Sequence, residues 1–186
     1  MTRFKPVFRA LSRGGAALFF LLYAGEARAN GLSIANVALT SPNSTAKTIQ
    51  VQFDISWNNS WRNLSTYDAA WVFIKYTTQS SAPYTWRHCT LKTSGTNPSG
   101  VSSGTGTALD IVVSADKKGA FLQRNSSGKG TVSSTAVQLV WDWNADGLSA
   151  SDSAKVQAFG LEMVYVPQAS FTVGDGTVNS VGGQFC

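Results

Sequence analysis

Thr48-Ile-Gln-Val-Gln-Phe-Asp-Ile-Ser-Trp57 alternates apolar and polar side chains without a fault. Ile49, Val51, Phe53, Ile55 and Trp57 fall on one face, and Gln50, Gln52, Asp54 and Ser56 on the other. A period of two is the signature of a strand with one face in a core and one in water. The chain is therefore read as layered β structure.

Working outward, Leu32–Thr40 is the expected partner strand before it, with Ser41-Pro-Asn43 as the turn. Asn58-Asn-Ser60 should end the strand and Trp61–Thr66 should be a loop. Ala69–Tyr76 is apolar on both faces, which predicts a central strand covered on both sides. Tyr84–Lys92 is expected as a further strand, followed by a mobile Gly/Ser/Thr-rich loop over Thr93–Thr107. Leu109–Val113 and Ala120–Arg124 flank an Asp116-Lys-Lys-Gly119 turn, and Asn125–Gly130 is read as another turn. Ala136–Trp143 alternates again. In Ala154–Val166 the apolar phase changes, from Val156 and Ala158 to Phe159, Leu161 and Met163, which predicts a bulge near Gly160. No stretch after residue 29 holds a 3.6-residue period, so helix content should be low. Seven to nine short strands with turn punctuation predict an all-β fold, an immunoglobulin-like two-sheet sandwich, with a closed barrel as the alternative.

Residues 1–29 read as a secretory signal. Arg3, Lys5, Arg9 and Arg13 form a basic start, Ala16–Ala24 is an apolar run, and Ala27-Arg-Ala29 is a small-x-small cleavage pattern. The run is shorter than the roughly 20 apolar residues a membrane-spanning helix needs, so no transmembrane span is expected after cleavage. The expected destination is export to the periplasm, cell surface or extracellular space. The segment holds five of the 15 Lys and Arg residues and one of the 10 Asp and Glu residues, leaving ten basic and nine acidic, a net charge of +1. A nearly neutral surface carries no footprint for nucleic acid. Cys89 and Cys186 are the two cysteines, and an oxidising compartment would allow them to pair or leave them free.

Leu161-Glu-Met-Val-Tyr-Val-Pro-Gln-Ala-Ser-Phe-Thr-Val-Gly-Asp-Gly176 closes one unit and opens another: Pro167 stops the strand, and a second short apolar run breaks at Gly174-Asp-Gly176. Met163-Val-Tyr-Val-Pro167 followed by Phe171-Thr-Val-Gly174 resembles the opening of the sulfatase-modifying factor (formylglycine-generating enzyme) domain, with Ala169 where the pattern usually has Gly and Val173 where it has Met. The segments containing Trp61-Arg62, Tyr67–Lys75 and Trp141-Asp-Trp143 look like the β-rich region upstream of that domain in some secreted bacterial proteins. The resemblance implies a β-sandwich over 30–166, a stub of the second domain over 167–186, and a chain that is a fragment. It also implies a partner that is the downstream domain of the same protein or another envelope protein. The activity implied for the whole protein is oxidation of a target cysteine or serine, or a binding role in relatives lacking the reactive cysteines. Those cysteines lie far downstream in the family, so no catalytic residue is carried over and Cys186 is assigned no role.

Asp142-Trp-Asn144-Ala-Asp146-Gly147 has the head of a calcium loop, in which alternate oxygens wrap a hard cation. Asp142, Asn144, Asp146 and Asp152 are the candidate ligands of a structural calcium ion, the one cofactor considered. Ser153 stands where the bidentate Glu belongs, so the plain reading is an Asn/Asp/Gly hairpin loop. His88 is the sole histidine, read as a packed histidine at the edge of the core, and Gly128-Lys129-Gly130 is a turn rather than a phosphate loop. Among the six tryptophans only Trp61 looks free for a sugar platform. The leading function is a non-catalytic exported module that precedes and positions the second domain. The alternatives are a free-standing envelope adhesion or carbohydrate-binding module, and a small secreted hydrolase.

Overall fold

The structure is a computed structural model and describes residues 30–168. The expected signal segment over 1–29, all but the first two residues of the expected stub over 167–186, and Cys186, with its pairing, lie outside the described residues. Among those described the protein is all-β, without a helix. Seven strands are five residues or longer: β1 (Ser33–Asn43), β2 (Thr48–Arg62), β3 (Tyr67–Thr77), β7 (Leu109–Val113), β8 (Ala120–Arg124), β9 (Gly128–Asp142) and β10 (Lys155–Tyr165). Three pairs of residues, β4 (Arg87–His88), β5 (Gly95–Thr96) and β6 (Thr105–Gly106), complete the ten.

All pairings are antiparallel. Strand β2 holds β1 on one edge and β9 on the other, while β3 holds β10 on one edge and β8 on the other, with β7 and then β5 beyond. Between β2 and β3 only Arg62 and Tyr67 are paired. The chain turns there because Asn63 Oδ1 accepts the amides of Ser65 at 2.9 Å and Thr66 at 2.7 Å, an Asx turn. The result is one curled antiparallel sheet, with the apolar faces of β2 and β9 turned toward those of β3, β7 and β8. No pairing joins β5 to β6, the two ends of the strand path, while the segment Arg87–Lys92 reaches from β3 to β9 through Arg87–His88 and the Leu91–Trp141 bridge.

The inward set is the one that alternation marks. Val51, Phe53, Ile55 and Trp57 are buried, as are Val137, Leu139 and Trp141 on β9 and Val72, Ile74 and Tyr76 on β3. Tyr76 meets Trp141 across the interior with ring centroids 4.9 Å apart. Each such side chain contributes about 1.5–3 kcal/mol of transfer free energy.

Several boundaries differ from those expected. Strand β2 runs on through Asn58–Arg62, because a register shift between Trp57 and Ser60, with Asn59 at φ 56°, lets Ser60–Arg62 rejoin β9 at Gly130–Gly128. Gly128–Gly130 is therefore strand and not turn. Tyr84–Lys92 is mostly irregular, with only Arg87–His88 on β3 and a bridge from Leu91 to Trp141. The Thr93–Thr107 loop is pinned at both ends, by β5 on β7 and by β6 on β9. The bulge at Gly160 is absent: β10 pairs with β3 residue for residue from Lys155 to Tyr165. Nor is β3 covered on both faces, since Trp71 and Phe73 are half-exposed.

Candidate functional site

The outward face of β3 carries Tyr67, Ala69, Trp71, Phe73 and Lys75, alternating with the buried set. The unbroken register of β10 places Phe159 opposite Phe73, Leu161 opposite Trp71, Met163 opposite Ala69 and Tyr165 opposite Tyr67. On the other edge Phe121 of β8 stands opposite Trp71, and Val112 of β7 opposite Phe121. The phase change in β10 thus has a physical reason: its odd-numbered residues extend an apolar surface on the outside of the sheet.

The rings are fixed by mutual packing. Phe73 and Phe159 stack at 5.3 Å and 12°, Tyr67 and Tyr165 at 4.9 Å and 9°, and Trp71 meets Phe121 at 4.6 Å and 51°, geometries favoured by aromatic quadrupoles. Trp71 lies over Gly119, where a Cβ would come within 2.4 Å of the indole. Phe159 is 40 %, Leu161 56 %, Met163 44 % and Tyr165 48 % exposed, a contiguous patch rather than scattered residues. Ala69 forms part of a groove of about 290 Å³ walled by Phe121, Val112, Met163 and the two stacked tyrosines. Charge borders the face near Tyr67, where Arg62 lies 5.5 Å from the Tyr67 ring centroid and pairs with Asp110 at 3.2 Å. Such a surface can hold apolar side chains of another molecule or segment.

The four candidate calcium ligands are each engaged elsewhere. Asp142 accepts Lys92 Nζ at 2.8 Å and the Ala145 amide at 3.2 Å. Burial pushes its carboxyl up, but these donors outweigh that and hold it below its ordinary range. Asn144 Oδ1 accepts Lys47 Nζ at 3.2 Å. Asp146 accepts the Thr90 amide at 2.8 Å, the Thr90 hydroxyl at 2.6 Å and the Trp141 indole N–H at 2.7 Å. Asp152 accepts the amide and hydroxyl of Ser149 at 2.7 and 2.9 Å. No group of three or more His, Cys, Asp or Glu among the described residues stands where it could hold a metal ion.

His88 is exposed, its ring 5.4 Å from that of Phe73. Trp61 is half-buried, its amide donating to Asp68 at 3.0 Å. Cys89 is 1 % exposed; burial, and then the nearby Asp146 carboxylate, push its thiol far up, so it is no nucleophile at neutral pH. Among the described residues no helix is long and apolar enough to cross a membrane.

Reading the sequence alone missed the outer face. The signal lies in Phe159, Leu161 and Met163, whose phase marks an outer apolar face rather than a bulge, and in the two-sided apolarity of Ala69–Tyr76. No family model matches the chain, and neither a curated protein nor a solved structure matches it.

Proposed function

We propose that residues 30–166 are an exported, non-catalytic module, an immunoglobulin-like two-sheet sandwich, whose outer face seats a sulfatase-modifying factor (formylglycine-generating enzyme)-like unit beginning at Pro167. The observation that carries this reading is the position of the patch: β10 lays Phe159, Leu161, Met163 and Tyr165 along it and then delivers the chain at Val166-Pro167. A unit following directly in sequence meets this apolar surface first, and burying it stabilises the pair by roughly 25 cal/mol per Å² of apolar area removed from water. The export half of the proposal rests on the basic start, apolar run and Ala27-Arg-Ala29 of the leading segment.

The test uses the natural reading frame as far as it runs beyond codon 186. The extended protein should tumble as one body by NMR relaxation, and Leu161→Asp should let the two parts reorient independently without unfolding either. A stop codon at 187, or independent tumbling in the unaltered protein, would remove the proposal.

A further inference from the structure

At the end of the curl where β1 finishes and β10 begins lies a second cavity, of about 310 Å³, between the Asn43–Lys47 turn and the segment after β9. Leu39, Ile49, Leu148 and Ala154 give it apolar walls, and Trp143, half-buried, lines it with Trp141. Its polar lining consists of Asn43, Ser44, Ser149 and Asp152. The surround is held in place from within. Asn43 Oδ1 accepts the Ala46 amide at 2.8 Å, Lys47 reaches across to Asn144, and the Leu148 amide donates to Trp143 O at 3.0 Å.

Three polar functions of the cavity remain unused by the protein. Asn43, Ser44 and Asp152 are exposed, and the Asn43 amide N–H groups, the Ser44 hydroxyl and Asp152 Oδ1 have no protein hydrogen-bond partner among the described residues, so they are open to a ligand. A donor, a donor-acceptor and an acceptor therefore share one hollow with an indole. A wholly apolar ligand covering them would displace their water without replacing its hydrogen bonds, which is unfavourable. An anion would meet a carboxylate held ionised by the Ser149 amide and hydroxyl. A neutral polyhydroxylated ring satisfies both requirements, since its hydroxyls donate and accept while its C–H face lies on the aromatic and aliphatic surfaces. The volume lies at the small end of the range of small-molecule sites, about 300–1,000 Å³.

We infer that this cavity is a carbohydrate subsite for one neutral pyranose unit, with Trp143 as the stacking surface and Asn43, Ser44 and Asp152 as the hydroxyl-reading groups. It lies apart from the outer face and stands or falls independently of the proposed second unit. The site is shallow and takes one ring, so the affinity belongs in the millimolar range, about 4 kcal/mol of binding free energy.

The full chain is titrated with the methyl glycosides of glucose, galactose, mannose and N-acetylglucosamine to about 50 mM, above the millimolar dissociation constants expected, while the tryptophan indole N–H resonances are followed by NMR. At least one glycoside should shift the Trp143 indole resonance saturably. Trp143→Ala should abolish the remaining saturable shifts, Asp152→Asn and Ser44→Ala should each weaken binding about three- to tenfold, and Leu161→Asp should leave it unchanged. If Trp143→Ala does not fold, as its amide spectrum will show, the Ser44 and Asp152 variants decide. No saturable shift with any glycoside, binding indifferent to these variants, or tighter binding of tetramethylammonium than of every sugar would overturn the assignment.

Discussion

The indole N–H of Trp57 donates to Oδ2 of Asp68 at 2.6 Å, inside the core. The second carboxylate oxygen takes the Ser60 hydroxyl at 2.8 Å and the Trp61 amide at 3.0 Å, so one side chain of β3 serves three donors of β2. Asp68 is 5 % exposed and Ser60 fully buried. The pairing explains how β2 continues past its register shift: the irregular backbone between Trp57 and Ser60 is held by a carboxylate rather than by a regular ladder. Asp68→Ala strands those donors and should cost about 2–4 kcal/mol, read as a lower urea midpoint. Asp68→Asn keeps acceptor capacity and should cost less.

Asp146 does the same at the other end, joining Thr90 to Trp141. Asp146→Ala should destabilise by about 2–4 kcal/mol. Calcium or a chelator should leave the melting temperature of the unaltered protein unchanged, because an ion at this loop would have to take oxygens from Thr90, Lys92 and Trp141. A calcium-dependent rise would favour the ligand reading of Asp142, Asn144, Asp146 and Asp152.

Gly104 has φ +69°, and a Cβ there would stand 1.9 Å from Thr135 O. Gly104→Ala should therefore displace the loop from β9 and cost about 3 kcal/mol or more, through both strain and overlap. Gly147, at φ +77° with nothing within 4 Å of a Cβ, is the control. Gly147→Ala should cost only the left-handed backbone term, about 1–2 kcal/mol.

Asp54 lies below its ordinary value of 3.8, held there first by the Asn36 amide at 2.6 Å and then by the Ala136 amide at 2.8 Å. A carboxyl with a lowered folded value binds fewer protons folded than unfolded near pH 4. Its stabilisation is present above the unfolded value and lost as pH falls through the folded one. Asp116 and Asp152 are lowered as well and act with the same sign. Urea midpoints should fall between about pH 5 and pH 2, and Asp54→Asn should flatten part of that slope.

Cys89 should be alkylated by iodoacetamide at pH 8 at least about 100-fold more slowly in the folded protein than in denaturant, since the buried thiol reacts only through opening. Peptide mass spectrometry separates it from Cys186. Rapid labelling of Cys89 in the native state would contradict its packing.

Strands whose neighbours are regular were legible in the sequence. Leu109–Val113 and Ala120–Arg124 fall where alternation and the intervening turn put them, and the inward face of Thr48–Trp57 is the buried one. The misread segments depend on distant partners. Nothing local to Asn58–Arg62 announces that Asp68 will hold a bulge there, and Tyr84–Lys92 looks like a strand although only Arg87 and His88 of it pair with β3, while Leu91 bridges to Trp141 of β9. The outer face was misjudged for another reason. Apolar residues on both sides of β3 read locally as burial on both sides, whereas exposed apolar surface is equally what an interaction face contains. The second cavity was illegible because Asn43, Ser44, Trp143 and Asp152 are brought together only by the curl.

The Leu32 amide donates to Glu162 Oε1 at 3.1 Å, and Leu32 and Ile34 pack against Gly160. The first and last long strands thus bring the chain in and out at neighbouring points. A domain so arranged is a cassette: it can be spliced into a loop of a host without prying the host apart. Its own ends can also be sewn together by a short linker and new ones cut at Ser44–Ala46, where β1 turns into β2.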